Sequence, residues 1–354
     1  MPKTIKTLAI WLCSLSLLAP ATGLLTPAFA APTVTTTTVL ASATNPVDVG
    51  APTVLTATVT GTAPTGNVTF KNGTATLGTV ALSGTGNTRT AAFNASITTA
   101  GAKSLTAVYV GDTVNKTSTS AAVAQTVNKV TATASLVSAT NPVLVGTPTI
   151  LTATVTGYTP TGNVAFKNGT ATLGTVALSG TGNTRTATYS ATITTAGDKS
   201  LTAVYAGNTN NLTATSTALT QSVSKSTTTA SVSSSLPSVT QGQSVTFTAS
   251  VTGYNPSGNV VFKDGATTLA TKALSGSGNT RTATYANTTL LAGVHSITAE
   301  YVGNVSNNTS SAPAITQTIQ GKTVTTTALA SDTNPSSFNQ GITLTATVSA
   351  TGNG

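Results

Sequence analysis

Apolar and polar residues alternate in short runs along almost the whole chain from residue 33 onward. In residues 54–60, for example, Leu55, Ala57 and Val59 fall on one side of an extended chain and threonines fall on the other. This period of two is typical of a strand with one buried face. The same pattern predicts strands over residues 35–41, 54–60, 66–71, 77–82, 88–97, 103–110 and 121–127.

Glycine, asparagine and serine separate these runs at intervals of roughly 8–12 residues, which is the spacing expected of an antiparallel β-sandwich. Asn72-Gly73 lies between two of the runs. It predicts a hairpin with a type I′ turn, in which both central residues have positive φ. Helical periodicity is absent after the first 30 residues. We therefore predict an all-β fold.

One stretch of the chain occurs three times at a fixed spacing. Residues 64–90 and 160–186 differ only at Thr69 and Ala165, and residues 256–282 are a looser copy. Both offsets are 96 residues, and a fixed offset identifies a repeat protein. The predicted organisation is a leader at 1–30, repeats at 31–129, 130–225 and 226–321, and the start of a fourth repeat at 322–354.

The fourth copy begins near Thr323 and reaches residue 354, where its next strand would start. Two strands are too few to bury a core. From this we expect the sequence to be part of a longer polypeptide. The junctions between repeats lack a Gly/Ser linker, which predicts limited bending between them and a monomeric, semi-rigid rod.

The first 30 residues have the features of a signal peptide. Lys3 and Lys6 precede the mostly apolar run 8–18, and Ala28-Phe29-Ala30 is a small-residue cleavage site. Export is therefore predicted, with Ala31 as the mature N-terminus and no membrane span after it. Cys13, the single cysteine, lies in this leader, so the mature chain has no disulfide.

Charge is scarce and scattered. The chain is 39% hydrophobic and 6% charged, with a formal net charge of +9. The basic residues recur singly at equivalent positions of the repeats, and no Lys/Arg cluster with interleaved aromatic residues occurs. We therefore predict no nucleic-acid partner.

The repeated sequence motifs resemble those of a known family. The motif Pro-Thr-Gly-Asn-Val-x-Phe-Lys-Asn-Gly at 64–73 is followed by Leu-Gly-Thr-Val-Ala-Leu, and residues 292–304 read AGVHSITAEYVGN. These resemble the bacterial immunoglobulin-like repeats of large secreted and surface proteins, over essentially all of 33–354. The resemblance implies tandem immunoglobulin-like sandwiches of about 96 residues. It also implies roles as spacers and adhesive stalks, without specifying a ligand.

The residues that carry chemistry in enzymes do not form a shared pattern here. His295 is the only histidine, and lysines 103 and 199 occupy its place in the other repeats. The six mature acids form no pair common to the repeats; they are Asp48, Asp112, Asp198, Asp264, Glu300 and Asp332. A glycosidase needs two facing carboxylates, and a hydrolase serine needs a nearby base. We predict no enzyme activity, catalytic residue, cofactor or metal site.

One polar pair does persist in all three repeats. Asp112 and Asn115 follow Tyr109, and the equivalents are Asn208 and Asn211 after Tyr205, and Asn304 and Asn307 after Tyr301. Such a loop either holds Ca²⁺ or forms a turn, and two of the three copies offer only amides, which favours the turn. The tyrosines could form a sugar platform, but their alternation with Leu105 and Ala107 favours the core.

Together these features predict a non-enzymatic exported stalk that spaces or displays another domain at the bacterial cell surface. Two alternatives stay open at this point. One is a binding module for a cell-surface glycan or protein, for which the divergent third repeat is the place to look. The other is the spacer region of a larger secreted enzyme.

Overall fold

The computed structural model describes residues 31–351, so the predicted signal peptide at 1–30 lies outside the described residues. The chain forms two compact units that divide after Asn128. The first holds repeat 1 and the second holds repeats 2 and 3 with the start of the fourth. Every regular element between residues 31 and 351 is a β-strand or bridge, which confirms the all-β class.

Repeat 1 is a sandwich of two sheets. Its strands are β1 (Thr37–Ser42), β2 (Val47–Asp48), β3 (Pro52–Thr60), β4 (Asn67–Asn72), β5 (Ala75–Ala81), β6 (Thr88–Ser96), β7 (Gly101–Tyr109), β8 (Ser118–Thr119) and β9 (Val123–Asn128). One sheet has the order β1-β3-β6. The other has the order β2-β9-β7-β4-β5, with β8 paired to β7. Strands β2 and β8 were not predicted, because two residues are too few for a period to be recognised.

The core of repeat 1 lies between these sheets and follows the alternation in the sequence. Leu55, Ala57 and Val59 of β3 are fully buried, and the threonines between them face the solvent side. Opposite them, Phe70 of β4 and Tyr109 of β7 are also fully buried. Burying large apolar side chains of this kind is the main source of stability in a module without disulfides.

The hairpin between β4 and β5 differs from the prediction of a type I′ turn. Asn72 pairs with Ala75, so the two loop residues are Gly73 and Thr74. Only Gly73 has positive φ, at 57°. Glycine at the first central position alone is the pattern of a type II′ turn. The prediction placed the turn one residue too early, because Asn72 still pairs in the strand.

In the second unit, repeats 2 and 3 reproduce this architecture. Repeat 2 contains β10 (Thr133–Ser138), β11 (Val143–Leu144), β12 (Pro148–Thr156), β13 (Asn163–Asn168), β14 (Ala171–Ala177), β15 (Thr184–Thr192), β16 (Lys199–Tyr205), β17 (Ala214–Thr215), β18 (Leu219–Gln221) and β19 (Val223–Ser224). Repeat 3 contains β20 (Thr229–Ser234), β21 (Ser238–Thr240), β22 (Val245–Thr252), β23 (Asn259–Asp264), β24 (Thr267–Ala273), β25 (Thr280–Asn287), β26 (Gly293–Tyr301), β27 (Ser310–Ser311) and β28 (Ile315–Gln320). Their three-stranded sheets have the orders β10-β12-β15 and β20-β22-β25.

The fourth copy is a hairpin of β29 (Thr325–Ser331) and β30 (Leu344–Ala350). Leu329 pairs with Ala346, which is the register of Leu40 with Ala57 in repeat 1. Within residues 31–351 no second sheet covers this hairpin, and Leu329 is 67% exposed where Leu40 is 6% exposed. Local pairing is therefore present without the core that stabilises the complete repeats.

Candidate functional site

The tyrosine that ends the seventh strand of each repeat points inward and fixes a loop. Tyr109, Tyr205 and Tyr301 are all buried. Their hydroxyls donate to the backbone carbonyls of Thr65 at 2.8 Å, Thr161 at 2.9 Å and Ser257 at 2.8 Å. Burial, with a hydrogen bond to Asp112, raises the pKa of Tyr109 to about 12. The buried rings are core residues and do not present a sugar platform.

The loop after Tyr109 is closed by the Asp112 carboxylate. Its Oδ1 accepts from the backbone N–H groups of Val114 and Asn115, at 2.8 and 2.7 Å. Its Oδ2 accepts from the Thr65 N–H at 2.8 Å and from the Tyr109 hydroxyl at 3.0 Å. Burial opposes ionisation, but these N–H donors hold the pKa of Asp112 well below its usual range. The carboxylate oxygens are therefore directed at the protein's own donors.

The second residue of the persistent pair is more deeply buried than the first. Asn115, Asn211 and Asn307 are 1%, 0% and 0% exposed. The Asn115 side chain accepts from the Thr62 N–H at 2.9 Å and donates to the Thr62 carbonyl at 3.0 Å. The side-chain amide of Asn115 thus forms the same pair of hydrogen bonds with the Thr62 backbone that a neighbouring strand would form. The geometry favours the turn over a Ca²⁺ site.

Repeat 1 should lose stability in acid through Asp112. Because its pKa is lowered in the folded state, its contribution is present above the unfolded value of 3.8 and is lost as pH falls below it. Repeats 2 and 3 have Asn208 and Asn304 at this position and should lack this term. Hydrogen exchange between pH 5 and pH 3 on the full chain would measure it. Asp112→Asn, which copies the other repeats, should remove the difference, and an unchanged acid response would contradict the assignment.

His295 is clamped between two acceptors. Its Nδ1 lies 2.6 Å from Asp264 Oδ2, and its Nε2 lies 2.9 Å from the Leu291 carbonyl oxygen. Asp264 Oδ1 also accepts from the Ser296 N–H at 3.0 Å. Lys103 and Lys199 donate to turn carbonyls at the equivalent position. The imidazole therefore replaces a lysine that ties the same turn, and both of its nitrogens are engaged by these acceptors.

The stability of repeat 3 should depend on this ring above neutral pH. Burial acts against the charged form, but the hydrogen bond that the ring donates to the Asp264 carboxylate raises the pKa of His295 above 6.5. A raised pKa means that the stabilisation is complete below about 6.5 and is lost as pH rises through the folded-state value. Chemical denaturation from pH 6 to pH 9 should show this loss. His295→Lys should abolish it, and a pH-independent midpoint in the wild type would refute it.

The remaining acids lie apart from one another. Glu300 Oε2 is 2.6 Å from Lys263 Nζ on the neighbouring strand, and Asp198 Oδ1 accepts from the Ser222 hydroxyl at 2.7 Å. Among residues 31–351 no group of three or more His, Cys, Asp or Glu side chains is placed to hold a metal ion. Each acid thus has a local structural partner or stands at the surface.

Repeats 2 and 3 meet through a joint that the sequence analysis missed. The ring of Tyr254 in repeat 3 lies against Gly146 of repeat 2, so closely that an added Cβ at Gly146 would lie 2.1 Å from the ring. Gly146 has positive φ, at 77°, and Tyr254 packs on the apolar core of repeat 2. The Ser306 hydroxyl donates to the Thr194 carbonyl at 3.2 Å. The available signal was Tyr158 and Tyr254, which recur at the repeat offset beyond any strand.

Among the described residues, no helix is long and apolar enough to cross a membrane.

The family model for the bacterial Ig-like domain (group 3) matches the chain three times, at residues 40–128, 136–224 and 231–320. No curated protein matches the chain.

Several solved structures resemble the chain at low identity. A tetra-tandem repeat from the extending region of a large adhesion protein is 13% identical, with 89% of this chain and 88% of that chain covered and a TM-score of 0.45. The mouse nectin-like molecule 4 ectodomain is 14% identical, with 78% and 98% covered and a TM-score of 0.28. Clostridium thermocellum CbhA fibronectin(III)-like modules are 16% identical, with 52% and 94% covered and a TM-score of 0.23.

Proposed function

Because the chain belongs to the bacterial Ig-like domain family (group 3), we propose that it is a non-enzymatic, exported stalk that spaces or displays another domain at the bacterial cell surface. Ig-like repeat domains are generally non-catalytic and typically extracellular. In this chain the polar side chains that persist between repeats are used to close loops. Residues 1–30 would direct export, and any partner would be a cell-surface glycan or protein.

The joint between repeats 2 and 3 is the observation that carries the proposal. A ring seated on a glycine and packed on the neighbouring core opposes rotation of one module against the other. Flexible linkers let modules tumble, whereas direct contact fixes the direction in which the next module projects. A spacer needs that fixed direction in order to hold a terminal domain away from a surface.

Small-angle X-ray scattering on the mature protein tests the spacer role. Deleting residues 130–225 should shorten the maximum dimension by about 30–40 Å, the length of one sandwich with strands of up to ten residues. Tyr254→Ala should broaden the distance distribution, and Tyr254→Phe should leave it unchanged because the ring is kept. A maximum dimension that does not depend on the number of repeats would overturn the proposal.

Export is tested separately from the shape. Residues 1–30 fused to a reporter enzyme should deliver it outside the cytoplasm of a bacterial host. Replacing Lys3 and Lys6 with glutamate should reduce delivery, because a signal peptide needs a basic segment before its apolar run. A reporter retained in the cytoplasm would contradict the surface location.

A further inference from the structure

Each repeat contains one pair of parallel strands, which joins the second strand of the repeat to its last strand. In repeat 1, Val47 and Asp48 of β2 pair with Val127 and Asn128 of β9. In repeat 2, β11 pairs in parallel with β19, and in repeat 3 β21 pairs in parallel with β28. All other pairs of named strands among the described residues are antiparallel, and each repeat has one further, isolated parallel bridge, which in repeat 1 joins Val34 to Asn115.

This arrangement decides how a repeat responds to a pull on its two ends. Tension at the amino end acts first on β1, which is paired antiparallel with β3. Once β1 has separated, tension draws β2 toward its amino end and β9 toward its carboxyl end. Because the strands are parallel, these are opposite directions along one axis, and the hydrogen bonds between them are sheared together. An antiparallel pair pulled from adjacent ends would instead open one bond at a time. After β1 has separated, the parallel pair is therefore the contact that resists further extension by shear.

A side-chain amide lengthens the ladder in repeat 1. The Asn45 Nδ2 donates to the Ala124 carbonyl at 2.8 Å, and its Oδ1 accepts from the Thr126 N–H at 2.9 Å. The Val49 N–H donates to the Asn128 carbonyl at 3.0 Å, beyond the other end of β2. The Asn45 side chain thus takes the place of a peptide group next to β2.

A buried glutamine fastens the same two segments. Gln125 of β9 is 0% exposed, and its Nε2 donates to the Thr44 carbonyl at 3.0 Å. Its Oε1 accepts from the Ser42 hydroxyl at 2.7 Å. Buried amide hydrogen bonds of this kind are costly to break because water does not replace them until the segments separate.

We call these contacts of the asparagine and the glutamine the asparagine–glutamine clasp. In repeat 2 the asparagine contacts are the same, since Asn141 donates to the Thr220 carbonyl at 2.8 Å and accepts from the Ser222 N–H at 2.9 Å. Gln221 Nε2 donates to the Thr140 carbonyl at 3.1 Å, but the buried Gln221 Oε1 has no partner within residues 31–351.

Repeat 3 keeps the buried glutamine, since Gln317 Oε1 accepts from the Ser234 hydroxyl at 2.5 Å, and replaces the asparagine. It has Pro237 in place of this asparagine, and there the Thr318 N–H donates to the Pro237 carbonyl at 3.2 Å. Its parallel pair is also longer, with three residue pairs instead of two.

We propose that the parallel strand pair with its asparagine–glutamine clasp is a tension-bearing element, so that each repeat resists mechanical extension as well as setting a distance. Asn45 with Gln125 and Asn141 with Gln221 carry this role in repeats 1 and 2. The backbone of Pro237 and the longer β21–β28 pair carry it in repeat 3. This inference deepens the proposed function, since a stalk that holds a surface contact is loaded along its length.

Single-molecule force spectroscopy on the full mature chain, tethered at its two ends, tests the inference. The wild type should give three unfolding events, one for each complete repeat. In the double variant Asn45→Ala/Asn141→Ala, two of the three events should unfold about tenfold faster at a fixed force, the factor that corresponds to the loss of about one buried amide hydrogen bond from the barrier. The third event belongs to repeat 3, has no such asparagine and should not change.

A matched control separates mechanical resistance from ordinary stability. Tyr109→Phe/Tyr205→Phe removes one buried hydroxyl from each of the same repeats, away from the parallel pair; it bonds to Thr65 and Asp112 in repeat 1 and to Thr161 in repeat 2. Under load it should change the unfolding rate much less than the asparagine variant, although denaturant should show a similar loss of stability. Equal rate changes in the two double variants, or no change in the asparagine variant, would overturn the tension-bearing role. Neither result would alter the scattering test of the spacer.

Discussion

Replacing Tyr301 with alanine should lower the free energy of unfolding of repeat 3 by about 3–5 kcal/mol, the usual cost of deleting a buried aromatic ring. Tyr301 is 1% exposed and lies in the core of its repeat with Phe262 and Ile297. Its hydroxyl also holds the Ser257 carbonyl at 2.8 Å. The substitution therefore removes both core volume and the hydrogen bond that fixes a loop.

Tyr301→Phe separates these two contributions. It keeps the ring and removes only the hydroxyl, so the expected loss is about 1 kcal/mol. Hydrogen exchange on the full chain can measure both variants, because the sequence of residues 293–301 occurs only in repeat 3. If the alanine and phenylalanine variants lost equal stability, the tyrosine would act mainly through its hydroxyl and the core assignment would be wrong.

Asn307→Ala is expected to destabilise repeat 3 by about 3 kcal/mol, because it leaves buried backbone groups without partners. The Asn307 side chain accepts from the Tyr254 N–H at 2.8 Å and donates to the Tyr254 carbonyl at 2.9 Å. Since Tyr254 is the ring seated on Gly146, the substitution should also loosen the joint with repeat 2.

The neighbouring residue gives a matched control for this prediction. Asn308 is exposed, so Asn308→Ala should change stability by less than about 0.5 kcal/mol. Denaturant unfolding gives the loss of stability, and scattering on the same variants gives the effect on the joint. A stable Asn307→Ala variant with an unchanged distance distribution would show that the asparagine does not hold this loop.

The strand positions were predictable because each strand has its own alternation of apolar and polar residues. The inward direction of Tyr109 followed from the same pattern. The hairpin turn was placed one residue early, because a sequence does not fix where pairing stops and the loop begins. The hydrogen-bonding roles of Asn115 and Gln125 could not be predicted, since a side-chain amide that replaces a peptide group leaves no periodic pattern in the sequence.

By itself, the sequence determined the class of fold, the repeat length and the absence of a shared catalytic pattern, because these depend on local alternation and on comparison between copies. Only the tertiary structure decided which polar residues are buried partners of distant backbone. It also decided that Tyr254 meets Gly146, and that the second and last strands of a repeat run parallel. Such contacts join residues 53 or more positions apart, and their strength comes from excluding water at sites that exist only after the sheets have packed.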